Sequence, residues 1–183
     1  MAALERAGAA AQMVRTAAEL ADVDALVLPG GESTTMSRVL RVFSLEVPLR
    51  RRLEEGMPTL STCAGLILLS RDVVDGRADQ LTFGAFDVVT RRNAYGRQVD
   101  SFETPLHVDP LGVAPFEGVF IRAPQIESIG DGVEVIAELD DRPVAVQQGI
   151  HIGLTFHPEM TNDDRLHRYF VERVDEALGA NVA

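Results

Sequence analysis

The chain has 183 residues, 46% of them hydrophobic, which is enough to bury one sizeable core, so we predict a single domain over residues 1–183. Its formal net charge of −11 at pH 7 repels phosphate backbones and anionic lipid, which argues against nucleic-acid and membrane partners. One cysteine excludes an intrachain disulfide, and the lack of a signal-peptide pattern or of an apolar run near roughly 18 residues predicts a cytoplasmic protein.

The first half of the sequence alternates helix and strand signals. The predicted elements are a helix from Met1 to about Leu20, a strand over 25–28, a helix from Ser33 through Leu40, a helix over 48–55 closed by Gly56, and a strand that ends at Cys63. Gly8 weakens the first of these helices. The apolar run over 25–28 ends at Pro29-Gly30-Gly31, which is typical of a strand buried on both faces, so we expect parallel strands.

The second half is dominated by strand signals separated by turns. The predicted strands cover 86–90, 118–122, 133–139, 143–147 and 152–156. Thr161 and Asp164 resemble a capping box with Asp in place of Glu, which predicts the start of a final helix. Apolar residues recur every four positions on one face of that helix: Leu166, Phe170, Val174 and Leu178. We therefore predict a three-layer α/β sandwich with a mixed, mostly parallel sheet and a ligand site at the carboxyl ends of its strands.

The cysteine lies where a strand signal meets a helix signal. Cys63 follows a β-prone run and precedes Ala64-Gly65 and an apolar stretch. The N–H groups at a helix N-terminus favour thiolate over thiol, so this position suits a nucleophile. A buried structural cysteine is the commoner fate of a lone cysteine in an intracellular domain. Cys63 by itself leaves both interpretations open.

A histidine and a glutamate follow the last predicted strand. His157 comes directly after the run 152–156, and Pro158 fixes the backbone between His157 and Glu159. At the carboxyl edge of the sheet, His157 could reach Cys63 while Glu159 accepts the Nδ1 proton, which would form a Cys-His-Glu triad. The plainer alternatives are a hydrogen-bonded loop histidine and a solvated surface glutamate. The other three histidines have no triad-like neighbour in the sequence: His107, His151 and His167.

The double glycine Gly30-Gly31 stands at a third strand end. It could be an ordinary turn, because glycine tolerates positive φ wherever a chain reverses. The residues after the turn, Ser33-Thr34-Thr35, can cap the following helix. A glycine turn before a helix capped by Ser or Thr can also direct backbone N–H groups at an oxyanion or a carboxylate. Because the carboxyl ends of parallel strands share one edge, this turn, Cys63 and His157 are expected to converge there.

Longer motifs give the sequence a family resemblance. Cys63 within Thr-Cys-Ala-Gly, together with His157-Pro158-Glu159, resembles the triad class I glutamine amidotransferases. More specific segments resemble the glutaminase subunit of pyridoxal 5'-phosphate synthase: Leu-Pro-Gly-Gly-Glu-Ser-Thr-Thr-Met over 28–36, Arg-Asn-Ala-Tyr-Gly-Arg-Gln over 92–98, Phe-Ile-Arg-Ala-Pro over 120–124 and Phe-His-Pro-Glu over 156–159. These matches span most of the chain.

The resemblance implies a role for each motif residue. Cys63 would be the nucleophile, His157 the general base and then acid, and Glu159 its orienting partner. The implied glutamine contacts are Gly31, Glu32, Ser33, Arg92, Ile121 and Arg122. The N–H groups of Gly31 and Ala64 would stabilise the oxyanion. For Arg97 we retain a structural or interface role, since arginines also hold loops through backbone carbonyls.

The resemblance also implies a partner. Ammonia protonates readily in neutral water, so a free glutaminase would waste its product. In the resembled family a TIM-barrel synthase subunit receives the ammonia through a protein interior and makes pyridoxal 5'-phosphate from a pentose phosphate and a triose phosphate. The glutaminase itself then needs no cofactor, and the sequence shows no convincing spacing of metal ligands.

One departure from the family pattern leaves alternatives open. The family opens with a hydrophobic strand and a Leu-Gln-Gly segment, whereas this sequence begins within what should be the first helix, so we expect a fold that lacks the usual first strand. The domain would then be truncated at its N-terminus relative to the family. The alternatives are a glutaminase subunit of a different synthase, a cysteine hydrolase acting on another amide, and a non-catalytic interaction subunit.

Overall fold

The computed structural model describes residues 1–92 and 101–180 as an α/β fold with helices on both faces of a five-stranded sheet. The helices are α1 (Ala2–Arg6), α2 (Ala17–Ala21), α3 (Ser33–Val42), α4 (Glu46–Glu54), α5 (Ala64–Leu69) and α6 (Arg165–Ala180). Short 3₁₀ turns cover Asp109–Leu111 and Pro158–Met160. No helix in the described part is long and apolar enough to span a bilayer. The single domain over 1–183 and the cytoplasmic location stay predictions.

Ten strands form three sheets within the described residues. They are β1 (Leu26–Leu28), β2 (Thr59–Thr62), β3 (Ser70–Val73), β4 (Phe86–Arg91), β5 (Ser101–Leu106), β6 (Phe116–Ile121), β7 (Gln125–Ile129), β8 (Glu134–Leu139), β9 (Arg142–Gln148) and β10 (His151–Leu154). The central sheet has the order β1-β2-β10-β9-β8. A three-stranded sheet, β3-β4-β7, and the pair β5-β6 complete the fold.

The central sheet is mixed, which confirms the predicted fold class. β1 and β10 both pair with β2 in parallel, whereas β9 pairs with β10 and β8 in antiparallel orientation. We expected a mostly parallel sheet, but only two of the four strand pairings in the central sheet are parallel. Short hairpins explain the difference, because only antiparallel strands can be joined by a two-residue turn. Asp140 and Asp141 form such a turn with φ of 51° and 60°, values that match the twist of a hairpin.

Two hydrophobic clusters lie on opposite faces of the central sheet. The first includes Leu28 and packs it against helices α2, α4 and α5; its buried helical members are Leu20, Leu45, Leu49, Leu53, Leu66, Leu68 and Leu69. The second includes Leu60 and packs it against the β5-β6 pair and helix α6; its buried members there are Leu106, Phe116, Phe120, Leu166 and Phe170. The sheet is thus covered on both faces, as the predicted layered sandwich requires.

The N-terminal region differs from its prediction. In place of one helix to Leu20, the chain forms α1 and α2 with residues 9–15 outside regular structure. Gly8 has a φ of +100°, and Thr16 begins α2 with a capping box to Glu19, so the two helices cannot merge. An apolar groove of about 1150 Å³ runs between these residues and β1, which is one of the two edge strands of the central sheet within the described residues.

The remaining differences lie in polar segments. Strands β3, β5 and β7 were not predicted. Each has polar residues at many positions and lacks a clear alternation of apolar and polar residues. The predicted capping box at Thr161 is wrong. Helix α6 begins at Arg165, and the Asp163 carboxylate accepts the Arg165 N–H at 3.0 Å, whereas the Thr161 hydroxyl accepts the N–H of Asp163.

Candidate active site

Cys63 stands in the turn between β2 and α5. Its φ of 49° and ψ of −105° are unusual for a residue with a side chain and cost on the order of 1–3 kcal/mol, which the surrounding structure must offset. The turn is held because the Cys63 N–H donates to the Leu154 carbonyl at 2.8 Å, which continues the β2–β10 pairing. The thiol is only 6% exposed. This geometry directs the side chain out of the sheet at the start of a helix.

The start of α5 lies close to the end of β1. A Cβ on Gly65 would lie 2.1 Å from the Leu28 carbonyl oxygen, so only glycine allows this approach. Ala64 is the first residue of α5, and the N–H groups of a first turn have no acceptor within their helix. Because Leu28 pairs in register with Ser61, the Gly30-Gly31 turn and Cys63 follow neighbouring strand ends.

His157 and Glu159 follow β10 on the other side of β2. The His157 Nδ1 and Glu159 Oε1 atoms are 2.8 Å apart, and the 3₁₀ turn at Pro158 holds the two side chains together. The His157 N–H donates to the Val119 carbonyl at 2.8 Å, which ties the turn to β6. The Cys63 side chain lies close enough to the imidazole to help raise the pKa of His157. The structure therefore pairs His157 with Glu159 and places Cys63 close to them.

Interactions among these side chains shift the pKa values of His157 and Glu159. Burial lowers the pKa of His157, but its interactions with Cys63 and Glu159 outweigh burial and raise that pKa to about 9. Burial opposes ionisation of Glu159, yet the hydrogen bond from His157 leads the effects that hold the pKa of its carboxyl below the ordinary value. The arrangement thus favours an imidazolium beside an ionised carboxylate, the state that a general acid needs.

Gly30, which the sequence indicated only as part of a turn, contacts the His157 ring. A Cβ at Gly30 would lie 2.2 Å from Cε1 and 2.9 Å from Nδ1 of His157. The imidazole therefore packs directly against the glycine backbone. The sequence signal was the glycine itself, but its partner lies 127 positions away and became visible only in the fold.

Glu32 is the N-cap of α3, a role that the sequence analysis gave to Ser33-Thr34-Thr35. Its carboxylate accepts the Thr34 and Thr35 N–H groups at 3.3 and 2.6 Å and also both threonine hydroxyls. The hydrogen bond from the Thr34 hydroxyl is the largest of the effects that lower the pKa of Glu32 to about 2. Arg92 Nη2 pairs with Glu32 Oε1 at 3.0 Å.

The other predicted glutamine contacts are placed less directly. Ser33 is only 3% exposed and its hydroxyl donates to Gln80 Oε1 at 2.9 Å, so its side chain is already engaged within the protein. Ile121 ends β6 and Arg122 follows it with a φ of 45°, two and three residues beyond Val119, the acceptor of the His157 N–H.

Some predictions fall outside this site or outside the described residues. Arg97 and most of the motif over 92–98 lie in 93–100, which the structure does not describe. His151 contacts the Thr59 hydroxyl at 2.8 Å, and His107 lies 3.2 Å from Asp109, both away from Cys63. Within residues 1–92 and 101–180, no group of three His, Cys, Asp or Glu side chains is arranged to hold a metal ion.

Comparison of the sequence with known families and proteins gives a consistent result. The model of the SNO glutamine amidotransferase family matches residues 1–176. The pyridoxal 5'-phosphate synthase subunit PdxT of Parafrankia sp. (strain EAN1pec) is 58% identical over 177 residues, which cover 97% of this chain and 87% of that protein. The subunit of the same name from Streptomyces coelicolor is 51% identical over 172 residues, with 94% and 85% covered.

Solved structures resemble the fold. A crystal structure described as a glutamine amidotransferase superposes with a TM-score of 0.87 at 46% identity and covers 95% of this chain and 91% of that one. A crystal structure from Thermoplasma acidophilum, described as a GMP synthase subunit, superposes with a TM-score of 0.68 at 15% identity, covering 100% and 89%. At 15% identity, the second comparison supports a shared fold and nothing further.

Proposed function

The chain belongs to the SNO glutamine amidotransferase family, and we propose that it hydrolyses L-glutamine to L-glutamate and ammonia as the glutaminase subunit of a pyridoxal 5'-phosphate synthase. The observation that carries the proposal is the His157–Glu159 pair at the carboxyl edge of the sheet, with Cys63 close to the imidazole. A thiol beside a histidine that a carboxylate orients is the arrangement of an activated nucleophile.

The first half of the reaction forms a thioester. The Cys63 thiolate attacks the side-chain amide carbon of glutamine, and the carbonyl π electrons move onto oxygen. The N–H groups of Gly31 and Ala64 are the donors for that oxyanion, since both stand at strand ends beside Cys63. The His157 imidazolium then gives its proton to the amide nitrogen, the C–N bond breaks and ammonia leaves.

The second half returns the enzyme to its starting state. With its proton gone, His157 acts as the base that takes a proton from water, and the resulting hydroxide attacks the thioester carbon. The C–S bond breaks, glutamate leaves and the thiolate and imidazolium re-form. Glu159 holds the ring by Nδ1 throughout, so the other nitrogen faces Cys63 in both steps.

Glu32 and Arg92 suit the two charges of an α-amino acid. A guanidinium binds a carboxylate in two parallel hydrogen bonds, and a carboxylate accepts hydrogen bonds from an ammonium group. Without substrate these two residues neutralise each other at 3.0 Å. We propose that glutamine places its α-carboxylate against Arg92 and its α-ammonium against Glu32, with Gly31, Ser33, Ile121 and Arg122 completing the pocket.

The partner in this proposal is the TIM-barrel synthase subunit of the resembled family. The two relatives described above, which are 58% and 51% identical over their aligned residues, bear the name of a pyridoxal 5'-phosphate synthase subunit. Ammonia is a nucleophile only while unprotonated, so passage through a protein interior into the synthase would preserve it. A glutaminase that serves another synthase is the alternative, and coexpression with a candidate synthase subunit followed by a glutamine-dependent assay for pyridoxal 5'-phosphate separates the two.

The nucleophile is tested with Cys63→Ser in the complex with the synthase subunit. We expect glutamate release to fall by at least about a thousandfold, because a serine hydroxyl is far less ionised than a thiol, while the partner is still bound. Glutamate release is measured by a coupled dehydrogenase assay and binding by calorimetry. A mutant that hydrolyses glutamine at the wild-type rate would remove Cys63 from the mechanism.

A further inference from the structure

A second, smaller cavity lies behind the triad. It measures about 380 Å³ and is bounded by α1, the carboxyl half of β2, the 3₁₀ turn at Pro158 and the first turn of α6. Its lining includes Thr62, Glu159, Thr161 and His167 together with apolar residues of β1 and β2. The cavity is therefore partly polar, and the carboxylate that orients His157 forms part of its wall.

Two buried polar atoms at this cavity lack a hydrogen-bond partner within the described residues. They are Thr62 Oγ1 and His167 Nδ1, and their residues are only 2% and 5% exposed. Buried polar atoms in folded proteins are nearly always satisfied, and where the protein supplies no partner an ordered water does so. A water needs two to four polar partners, and Thr62, His167 and Glu159 all line this one cavity.

Both orphan atoms belong to residues next to the proposed chemistry. Thr62 directly precedes Cys63 in the chain, and it is paired with Leu154, which holds the Cys63 turn. His167 and Glu159 act on each other electrostatically, and the other charged groups near His167 are Asp164, Arg6 and the α-amino group of Met1. Burial is the largest effect and lowers the pKa of His167, so the ring is neutral near pH 7.

We propose that this cavity holds ordered water that joins Thr62 Oγ1 and His167 Nδ1 to the Glu159 carboxylate, and that Thr62 and His167 are positioning residues for the triad. A neutral imidazole nitrogen can either donate to or accept from such a water, and the threonine hydroxyl can do the same. The water then supports the carboxylate from the side opposite His157. The inference rests on the proposed function, because it assigns the cavity a part in the same site.

Matched substitutions at Thr62 separate the hydroxyl from the shape of the side chain. Thr62→Val keeps the shape and removes the hydrogen-bonding atom, whereas Thr62→Ser keeps the atom. We expect Thr62→Val to lower kcat for glutamate release by about three- to tenfold with KM unchanged, the loss expected for one ordinary hydrogen bond. Thr62→Ser should restore kcat to within about twofold.

His167→Phe and the double variant test whether the two residues share one water. If they do, the double variant should lose no more kcat than the worse single variant, since either change already displaces the bridge. Thr59→Val is the control, because it removes a buried hydroxyl from the same strand on the face opposite Thr62, where the partner is His151. It should leave kcat unchanged even if the protein melts at a lower temperature.

Two further measurements make the outcome decisive. A crystal structure should show water between Thr62, His167 and Glu159 in the wild-type protein, and none in Thr62→Val. The rate of Cys63 alkylation by iodoacetamide should fall in the same variants, and it needs no glutamine. A dry cavity, additive losses in the double variant or wild-type kcat in Thr62→Val would overturn the inference. If alkylation slows in the variants but the wild-type protein itself releases no glutamate, the proposed function is rejected instead.

Discussion

Gly30→Ala probes the contact between the glycine turn and the imidazole. The added methyl carbon would lie 2.2 Å from His157 Cε1, whereas ordinary van der Waals contact begins near 3.4 Å, so the ring must retreat by roughly 1 Å. The φ of Gly30 is not in the left-handed region, so alanine adds a steric clash and no backbone strain there. A displacement of about 1 Å in a catalytic group can cost about a hundredfold in rate, which corresponds to about 2.7 kcal/mol of transition-state free energy.

The assay compares kcat for glutamate release in wild-type, Gly30→Ala and Gly179→Ala proteins. Gly179→Ala is the matched control, because a Cβ there meets nothing within 4 Å. We expect kcat to fall about a hundredfold in Gly30→Ala alone, while its melting temperature drops by about 2–12 °C, as overpacking of about 1–3 kcal/mol predicts. A folded Gly30→Ala protein that keeps more than half of the wild-type kcat would refute the close packing of the ring against this turn.

Two other predictions concern charge. Glu159→Gln removes a carboxylate that helps to raise the pKa of His157 from 6.5 to about 9. The stability that this raised pKa gives the folded protein is fully present below pH 6.5 and is lost as the pH rises to about 9. In a pH series of thermal melts, the variant should therefore melt at a lower temperature than the wild type below pH 6.5, and its melting temperature should decline less between pH 6.5 and 9. Arg92→Lys should raise KM for glutamine by about tenfold and change kcat little, because a lysine cannot make the paired hydrogen bonds of a guanidinium. An unchanged KM in steady-state kinetics would contradict substrate binding by Arg92.

The elements around the candidate site were predictable because their signals are local. The apolar runs before Pro29 and before Cys63 are both strands followed by a helix, as their sequences predict. The run before Cys63 is fully buried, whereas the expected burial of the other on both faces is wrong, because β1 lies at an edge of the central sheet and is fully buried only at Leu28. The positions of His157 and Glu159 could also be inferred, since parallel strand ends must share an edge. Their distance and their link to Cys63 required the fold.

The failures of prediction occurred where tertiary contacts override local pattern. Spacing of apolar residues favoured one helix before Leu20, but the capping box at Thr16 and the positive φ of Gly8 divide it. Ser33 looked like a cap, yet its hydroxyl is taken by Gln80 and leaves Glu32 as the N-cap. The role of Gly30 depends on a ring that is remote in sequence, so no local signal could reveal it.

The hydrogen bond from the Cys63 N–H to the Leu154 carbonyl joins two neighbouring strands at the middle of the central sheet. Cys63 and His157, the proposed nucleophile and base, are thus anchored on the most deeply buried part of the fold rather than on surface loops. Local opening events start at frayed ends and exposed segments, and core strands separate only when the whole domain unfolds. Loss of activity under denaturant should consequently track global unfolding, with no inactive but folded species in between.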